Sequence, residues 1–479
     1  MGIGDWAEDL LDGIDRARRG VDELFEPTLR LGVTGLSGAG KTVFITALVA
    51  SLLNRGRMRM LMAESEARIE AADLRPQPDP EVPRFAFETH LSALTRPEPA
   101  WPDSTRAVSQ LRVSLRYRRS GLLGGVLGSG TLHLDIVDYP GEWLLDLSLL
   151  DQSYAEWAAK ALETAESPAR AAHAAGWRAA LAGADPSARH DEPAAEALHR
   201  AYRAYLQACR IAGLSALAPG RFLMPGELEG SPALTFAPLP EPARAGRGSL
   251  YAQMRDRFEA YKRVVAKPFF REHFARLDRQ VVLIDALGAV AGGPRALADL
   301  TATMAETLSA FRHGTNSWLD TILGTRRIDR LLFAASKADH LHHAQHDRLA
   351  ALAEAMLAEA ARRAEWDGAE TASLAIAAIR ATAEQEVTRD GRVLELVRGR
   401  RLDTGREAAL YPGALPEDPQ ALLATADAAD PGEAPADWPG QDFAALKFAP
   451  PVWGAAPGEG PPHIRLDRAL DFLIGDKLE

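Results

Sequence analysis

A glycine-rich stretch at residues 35–42, reading GLSGAGKT, carries the clearest chemistry in this sequence. Apolar runs at 31–34 and 43–49 flank it, which predicts the strand, turn and helix that surround a phosphate-binding loop. Glycines let backbone N–H groups converge on phosphate oxygens, and a helix start adds the positive end of its dipole. We predict that Lys41 reaches the β- and γ-phosphates and that the Thr42 hydroxyl holds Mg²⁺. The predicted phosphate-binding set is Gly35, Ser37, Gly38, Ala39, Gly40, Lys41, Thr42 and Val43.

A second candidate loop, DYPG at residues 138–141, follows an alternating run that predicts a strand from residue 132 onward. Asp138, at the carboxyl end of that strand, can hold the water shell of Mg²⁺. The Gly141 N–H can bond a γ-phosphate, and because that bond exists only with a triphosphate, the loop would act as a switch. Glu142 follows at the place where the attacking water is oriented, but its charge would repel the phosphate. We therefore predict slow hydrolysis or an external helper, with Lys41, Gly141 and Glu142 as the catalytic set.

A third motif, SKAD at residues 336–339, ends a predicted strand and approximates the pattern Asn/Thr-Lys-x-Asp. The Asp339 carboxylate would accept hydrogen bonds from the N1–H and the exocyclic amine of guanine, while the stem of Lys337 lies along the ring. Adenine lacks that pair of donors, so Asp339 would select GTP over ATP. Ala381 and Thr382, after the last predicted strand, are expected to close over the base.

Two other groups of residues invite a metal or switch interpretation. A further Mg²⁺ ligand is expected ahead of the second strand, and Thr105 is our choice, with Ser104, Thr89 and Thr95 as alternatives. A second Asp-x-x-Gly, DALG at 285–288, is interpreted as a coincidence because it comes after a later strand. The histidines are interpreted as a solvated helix start, since metal sites normally add carboxylate or Cys partners and a second shell. They are His340, His342, His343 and His346.

Length, charge and cysteine content bound the class of protein. The 479 residues suffice for two or three domains. The net charge of −11 argues against a nucleic-acid-binding surface or a polybasic membrane anchor. Cys209 is the one cysteine, which excludes an internal disulfide and favours a reducing compartment. The start of the chain lacks the pattern of a signal peptide and no run predicts a transmembrane helix, so we expect a cytoplasmic protein.

Strands that alternate with helices predict an α/β fold with a mostly parallel sheet, one antiparallel edge strand and an added helical domain. An amphipathic helix opens the chain, and peripheral membrane contact through it remains an alternative to packing on its own domain. A closing helix is expected to pack on the sheet. The predicted domains are 1–30 (N-terminal helix), 31–143 (first part of the nucleotide-binding domain), 144–275 (helical insertion), 276–400 (second part) and 401–479 (irregular Pro-rich tail and final helix).

Taken together, these motifs resemble the bacterial YcjX-like family of P-loop GTP-binding proteins. The stretches that carry the resemblance are GLSGAGKT at 35–42, DYPGEW at 138–143, SKAD at 336–339, AIRAT at 378–382 and HIRLDRAL at 463–470. The resemblance implies a Ras-like GTPase domain with an added helical region and a link to envelope or other stress responses.

We therefore expect a Mg²⁺-dependent switch that binds GTP and GDP, hydrolyses GTP slowly and acts on an unidentified protein effector. Two alternatives stay open at this point. One is a P-loop ATPase or nucleotide kinase, although a kinase needs an Arg-rich lid that no segment clearly supplies. The other is a non-catalytic interaction protein in which the nucleotide is structural.

Overall fold

A seven-stranded sheet in the order β2-β3-β4-β1-β5-β6-β7 forms the centre of the fold. The computed structural model describes residues 26–479 except 37, 104–106, 121–127, 310–327, 390, 430–433, 436–437, 440–446 and 455–457. The N-terminal helix predicted within residues 1–30 therefore lies almost wholly outside the described residues. The strands of the central sheet are β1 (Thr28–Gly35), β2 (Ile69–Arg75), β3 (Ser109–Arg118), β4 (Ser129–Asp138), β5 (Arg279–Ile284), β6 (Arg330–Ala335) and β7 (Glu370–Ala375).

The sheet is mostly parallel, which confirms the predicted fold class. β1 pairs in parallel with β4 and β5, and the parallel pairing continues through β6 to β7. β3 runs antiparallel to β4 on one side and to β2 on the other. The antiparallel strand is thus covered by β2, a strand that the sequence did not predict. Its sequence, IEAADLR, is mostly half-exposed and lacks the apolar alternation that marked the other strands.

Helices lie between the strands. They are α1 (Lys41–Asn54), α2 (Met62–Ser65), α3 (Phe87–Thr95), α4 (Tyr154–Glu166), α5 (Ala175–Ala182), α6 (Glu192–Ile211), α7 (Gly220–Leu223), α8 (Leu250–Tyr261), α9 (Lys267–Glu272), α10 (Ala286–Ala291), α11 (Pro294–Ser309), α12 (His346–Trp366), α13 (Pro419–Ala428) and α14 (Leu466–Ile474). A π-helical stretch, Lys262–Ala266, joins α8 to α9. Short 3₁₀ helices occupy Gly141–Leu147, Gly226–Leu228, Pro232–Leu234, Phe274–Arg276, Ala338–His340, His343–Gln345 and Gly475–Lys477.

The chain between β4 and β5 is helical and buries a core of its own, rich in aromatic side chains. Trp157 stacks on Phe258 with 5.0 Å between ring centroids, and Trp177 stacks on Tyr205 at 5.3 Å. Such rings bury large apolar areas and add a geometric preference for stacked or edge-on contacts. The same hydrophobic cluster includes Trp143, which lies directly after the DYPG loop. The helical region is therefore packed onto the segment that we interpret as a switch.

The C-terminal part contains more regular structure than was predicted, both at the end of the segment 276–400 and within the predicted tail 401–479. A three-stranded antiparallel sheet, β10-β9-β8, is formed by β8 (Thr382–Arg389), β9 (Arg392–Arg400) and β10 (Glu407–Leu410). The apolar side of α14 enters the same hydrophobic cluster as β1 and α1. Arg279 of β5 fastens this helix, because its guanidinium pairs with Asp476 at 2.5 Å and donates to the Leu473 carbonyl at 2.8 Å.

Asp146 links the segment after β4 to the helical region. Its Oδ1 accepts from the Gly220 N–H at 2.7 Å, and its Oδ2 accepts from the Tyr261 hydroxyl at 2.5 Å. The side chain is 2% exposed. Burial raises the pKa of Asp146 to about 6, although these two hydrogen bonds act in the opposite direction.

This raised pKa predicts how the stability of the protein depends on pH. The folded state favours the protonated carboxyl, so the contribution of Asp146 to the free energy of unfolding is complete below the unfolded pKa of 3.8 and is lost as the pH rises through about 6. Asp146→Asn removes the titration. The stability of the wild type relative to this variant should fall by about 2 kcal/mol between pH 4 and pH 7, measured by urea unfolding followed by tryptophan fluorescence. A difference that stays constant with pH would show that burial does not control this carboxyl.

Candidate nucleotide-binding site

The glycine-rich loop connects β1 to α1 through a turn that needs glycine at two positions. Gly38 and Gly40 have φ angles of +86° and +83°, a region that favours glycine. A Cβ built on Gly40 would meet no described atom within 4 Å, so the loop is open at that point. Among the described residues no side chain caps α1, and its first turn, from Lys41, holds no acidic residue. An uncapped helix start beside an open turn is a place where backbone N–H groups can receive an anion.

Lys41 and Asp138 form a buried ion pair at the carboxyl ends of two neighbouring strands. β4 lies next to β1, with Asp138 paired in register with Val33, and this brings the carboxylate beside the turn. Lys41 Nζ lies 2.6 Å from Asp138 Oδ1, and the two side chains are 9% and 1% exposed. The hydroxyl of Thr42, also buried, and the Asp138 carboxylate are hard oxygen donors of the kind that Mg²⁺ accepts.

Gly141 approaches the phosphate-binding loop so closely that no side chain fits. A Cβ on Gly141 would lie 2.0 Å from the Gly35 carbonyl oxygen and 3.0 Å from the Leu36 nitrogen. The backbone of the DYPG loop therefore rests directly on the backbone of the phosphate-binding turn. Only glycine fits at this contact, because every other residue would bring a Cβ atom.

Glu142 faces an arginine that the sequence did not identify. Glu142 is 4% exposed, and Arg210 Nη2, near the C-terminal end of α6, lies 3.1 Å from its Oε1. The contact is an ion pair without hydrogen-bond geometry, since Glu142 Oε1 makes no hydrogen bond with any described residue. No motif connects the two positions in the sequence, so only the folded helical region could reveal the pair.

Asp339 is held in place by the two residues that were expected to close over the base. The Ala381 N–H donates to Asp339 Oδ2 at 2.8 Å, and the Thr382 hydroxyl donates to the Asp339 carbonyl oxygen. Neither Ala381 nor Thr382 lines the cavity described below; Ile376, Ala377, Ala378 and Ile379 line it there. Ala381 and Thr382 thus fix Asp339, and their contact with the base stays a prediction.

The remaining residues of the SKAD motif are fixed by β5 and the residue that follows it. The Ser336 hydroxyl donates to the Ile284 carbonyl at 3.2 Å. Lys337 adopts a φ of +62°, and its ammonium pairs with Asp285. Asp285 also accepts from the Gly288 N–H at 2.9 Å and so caps α10. The DALG stretch is therefore a helix cap and a partner for Lys337, in keeping with its exclusion as a switch.

The histidines after the SKAD motif do not form the predicted solvated helix start. His342 and His346 are both 3% exposed, so that interpretation is wrong for them. His346 Nε2 hydrogen-bonds the Ala338 carbonyl at 2.8 Å, and burial lowers the pKa of its imidazole. The exposed His343 pairs through Nδ1 with Glu384 at 2.6 Å. The hydrogen bond of His346 thus fixes the loop that carries Asp339.

One cavity of about 420 Å³ joins the phosphate-binding turn to Asp339. The motif residues that line it are Gly35, Gly38, Ala39, Gly40, Lys41, Thr42, Val43, Gly141, Glu142, Ser336, Lys337 and Asp339. Residues that no motif predicted also line it, notably Trp101, Arg210, Lys447 and Phe448. The Trp101 indole donates to the Phe448 carbonyl at 2.8 Å, so two distant segments meet in this wall.

Several predicted ligands lie away from the cavity or outside the described residues. Ser37, Thr105 and its alternative Ser104 are outside the described residues. Thr89 is exposed on α3, and the Thr95 hydroxyl donates to the Leu91 carbonyl at 3.0 Å. Neither of these two threonines lines the cavity.

A family model described as YcjX-like family, DUF463, matches residues 29–478 of the chain. This chain belongs to the YcjX-like family. The resemblance seen in the five sequence stretches is thereby confirmed. Two relatives match this chain over nearly the whole length of both sequences. The protein named Ras-like GTPase YcjX from Escherichia coli (strain K12) is 38% identical over 472 residues, covering 96% of this chain and 97% of its own. The protein of the same name from Shewanella oneidensis is 37% identical over 475 residues, covering 94% of this chain and 95% of its own.

The described helices also bear on membrane association, which the N-terminal helix left open. Within the described residues, every helix is too short or too polar to pass through a bilayer.

The contact between Gly141 and Gly35 predicts opposite outcomes for two Gly→Ala substitutions. Gly141→Ala should lower the free energy of unfolding by about 2 kcal/mol, because the new methyl group overlaps the Gly35 carbonyl and the backbone must shift. Gly176→Ala, in α5, should raise it by about 1 kcal/mol, because no described atom lies within 4 Å and alanine favours the helix. Urea unfolding of the two variants measures both. Equal stabilisation by the two alanines would contradict the close approach of the loops.

Proposed function

We propose that this chain binds GTP with Mg²⁺, hydrolyses it slowly to GDP and phosphate, and changes conformation with the state of the nucleotide. The observation that carries the proposal is the single cavity that holds Lys41 at one end and Asp339 at the other. A nucleoside triphosphate has the same layout, with phosphates at one end and a base at the other. The printed name of the two relatives, Ras-like GTPase YcjX, supports the proposal.

At the phosphate end, the donor set fits a metal–triphosphate complex. The turn around Gly38 and Gly40 and the start of α1 supply N–H groups, and Lys41 supplies a cation. Thr42 and Asp138 would hold Mg²⁺, directly or through its water, and Thr105 remains the predicted additional ligand. When bound, Mg²⁺ would neutralise the charge that develops on the phosphate oxygens.

At the base end, the Asp339 carboxylate has several lone-pair positions, of which Ala381 N–H occupies one. The others can accept from the N1–H and the exocyclic amine of guanine. Adenine presents an acceptor at N1, which an ionised carboxylate repels. Lys337, paired with Asp285, provides the alkyl stem that lies along the ring.

The segment Gly141–Leu147 is placed to transmit the state of the phosphate. Each of its residues is buried, and Gly141 touches the phosphate-binding turn. The same segment bonds the helical region, since the Trp143 indole donates to the Met224 carbonyl at 2.9 Å and Asp146 accepts from Gly220. A γ-phosphate that binds the Gly141 N–H would therefore displace contacts of the helical region. The family resemblance adds to the proposal a stress-related output through a protein effector in the cytoplasm.

A substitution of Asp339 that changes the preferred base tests whether this residue recognises guanine. We expect wild type to bind GDP and GTP at least 100-fold more tightly than ATP in calorimetry, since the carboxylate matches two guanine donors. Asp339→Asn should weaken the binding of guanine nucleotides and strengthen that of xanthine nucleotides. The asparagine amide can donate to the additional xanthine carbonyl while its oxygen accepts from N1–H. Asp339→Ala is the control that loses both. Equal binding of GTP and ATP to wild type would favour the ATPase alternative.

Hydrolysis is tested separately from binding. In a single-turnover assay with [γ-³²P]GTP and Mg²⁺, wild type should release phosphate, and the release should stop with EDTA. Lys41→Ala should lower the rate by at least 100-fold because the cation beside the phosphates is lost. GTP binding without phosphate release from wild type would support the non-catalytic alternative, in which the nucleotide is structural.

A further inference from the structure

Arg210 is the arginine of the helical region that reaches the proposed nucleotide cavity. It lies in the last turn of α6 (Glu192–Ile211) and lines the same cavity as Lys41 and Gly141. Its side chain is 27% exposed, so this arginine is not fully buried.

The position of Arg210 is set by the core of the helical region. The side of α6 that carries Tyr202, Leu206 and Cys209 is buried in the aromatic cluster. The buried Cys209 immediately precedes Arg210, so the end of the helix is anchored where the guanidinium emerges. An arginine on a packed helix pays less conformational entropy for binding than one on a loop.

The helical region is also seated directly on the segment that contains Glu142. A Cβ on Gly220 would lie 1.8 Å from the Glu142 carbonyl oxygen, which shows how closely the two backbones approach. The guanidinium of Arg221 stacks over the Trp143 ring, 3.1 Å from its centroid. These contacts hold Arg210 beside Gly141 and Glu142 through two independent parts of the helical region, α6 and α7.

One partner of Arg210 in this structure is Glu142, 3.1 Å away, in a contact without hydrogen-bond geometry. A phosphoryl group in transfer carries more negative charge than one carboxylate and offers oxygens that suit the planar fork of arginine. It can therefore compete with Glu142 for the guanidinium. Glu142, once released, is free to orient a water molecule.

We propose that Arg210 is a catalytic arginine supplied by the chain's own helical region to the hydrolysis of GTP. This inference rests on the proposed function. In the step, a water oxygen forms a bond to the γ-phosphorus while the bond from that phosphorus to the β–γ bridging oxygen breaks. The bridging oxygen and its electron pair leave with GDP, and the protons of the water pass to phosphate and solvent. Arg210 stays charged throughout and donates N–H groups to the γ-phosphoryl oxygens as their charge develops.

A positioning role through Glu142 is the competing explanation, and a double-variant cycle separates the two roles. The full chain is compared as wild type, Arg210→Ala, Glu142→Ala and the double variant, in single-turnover hydrolysis of Mg·GTP. Arg200→Ala is the matched control, since Arg200 lies on the same helix, is exposed and pairs only with Glu196 among the ion pairs of the described residues. Arg210→Gln serves as a second variant that keeps most of the side-chain volume.

We expect Arg210→Ala and Arg210→Gln to lower the rate by about 10³-fold relative to Arg200→Ala, with GDP affinity changed less than threefold. The same loss should persist in the Glu142→Ala background. When aluminium fluoride, which imitates the phosphoryl group in transfer, is titrated into the preformed Mg·GDP complex, calorimetry should show fluoride-complex binding in wild type and Arg200→Ala but not in either Arg210 variant.

Two results would overturn the proposal. One is a rate loss of less than tenfold in both Arg210 variants. The other is a loss that disappears when Glu142 is already alanine, since Arg210 would then act only by positioning Glu142. A wild-type protein that binds no guanine nucleotide, or binds GTP without hydrolysing it, would instead refute the proposed function itself.

Discussion

Parallel pairing of β4 and β5 on either side of β1 is the constraint on which the rest of the structure depends. Parallel strands end at the same edge of a sheet, and open α/β sheets bind ligands at that edge. Here the edge collects the glycine-rich turn, Asp138 and Asp285 from three adjacent strands, and β6 adds the SKAD motif. Motifs that are far apart in the chain therefore line one cavity. The pairing of the strands brings them together, so no direct contact between the motifs is required.

The sequence alone was enough to predict a structural feature where the chemistry and the local backbone geometry require the same residue. The glycine-rich turn needs glycine φ angles, the DYPG loop needs a glycine that fits against Gly35, and both demands leave a residue signature. Strands β1 and β4 to β6 were visible because they are buried and apolar. In each case one class of residue, glycine in the turns and apolar residues in the strands, is required by one physical condition.

Features that arise only from tertiary packing were not predicted. β2 is an edge strand with one buried residue, and the three-stranded sheet β8–β10 lies in residues 382–410, where charged residues interrupt the apolar runs that marked the other strands. Ala381 and Thr382 were assigned to the base from their place after the last strand, and their hydrogen bonds to Asp339 were not foreseen. Arg210 was invisible because its role depends on how a whole helical region is seated. No pattern of residue types or spacing in the sequence marks any of these contacts.

The charges that line the cavity explain why a metal ion belongs to the proposed function. Three of its cations are already paired with carboxylates: Lys41 with Asp138, Arg210 with Glu142 and Lys337 with Asp285. A triphosphate that entered alone would bring additional negative charge beside three buried or half-buried acids, at a large electrostatic cost. Bound Mg²⁺ would add positive charge and would be held by the Asp138 carboxylate, so that Lys41 could pair with the phosphates, while Arg210 is the cation proposed to change its partner during the reaction. The same pairs would therefore favour a metal-bound triphosphate over a free one, because the metal complex brings less negative charge into the cavity.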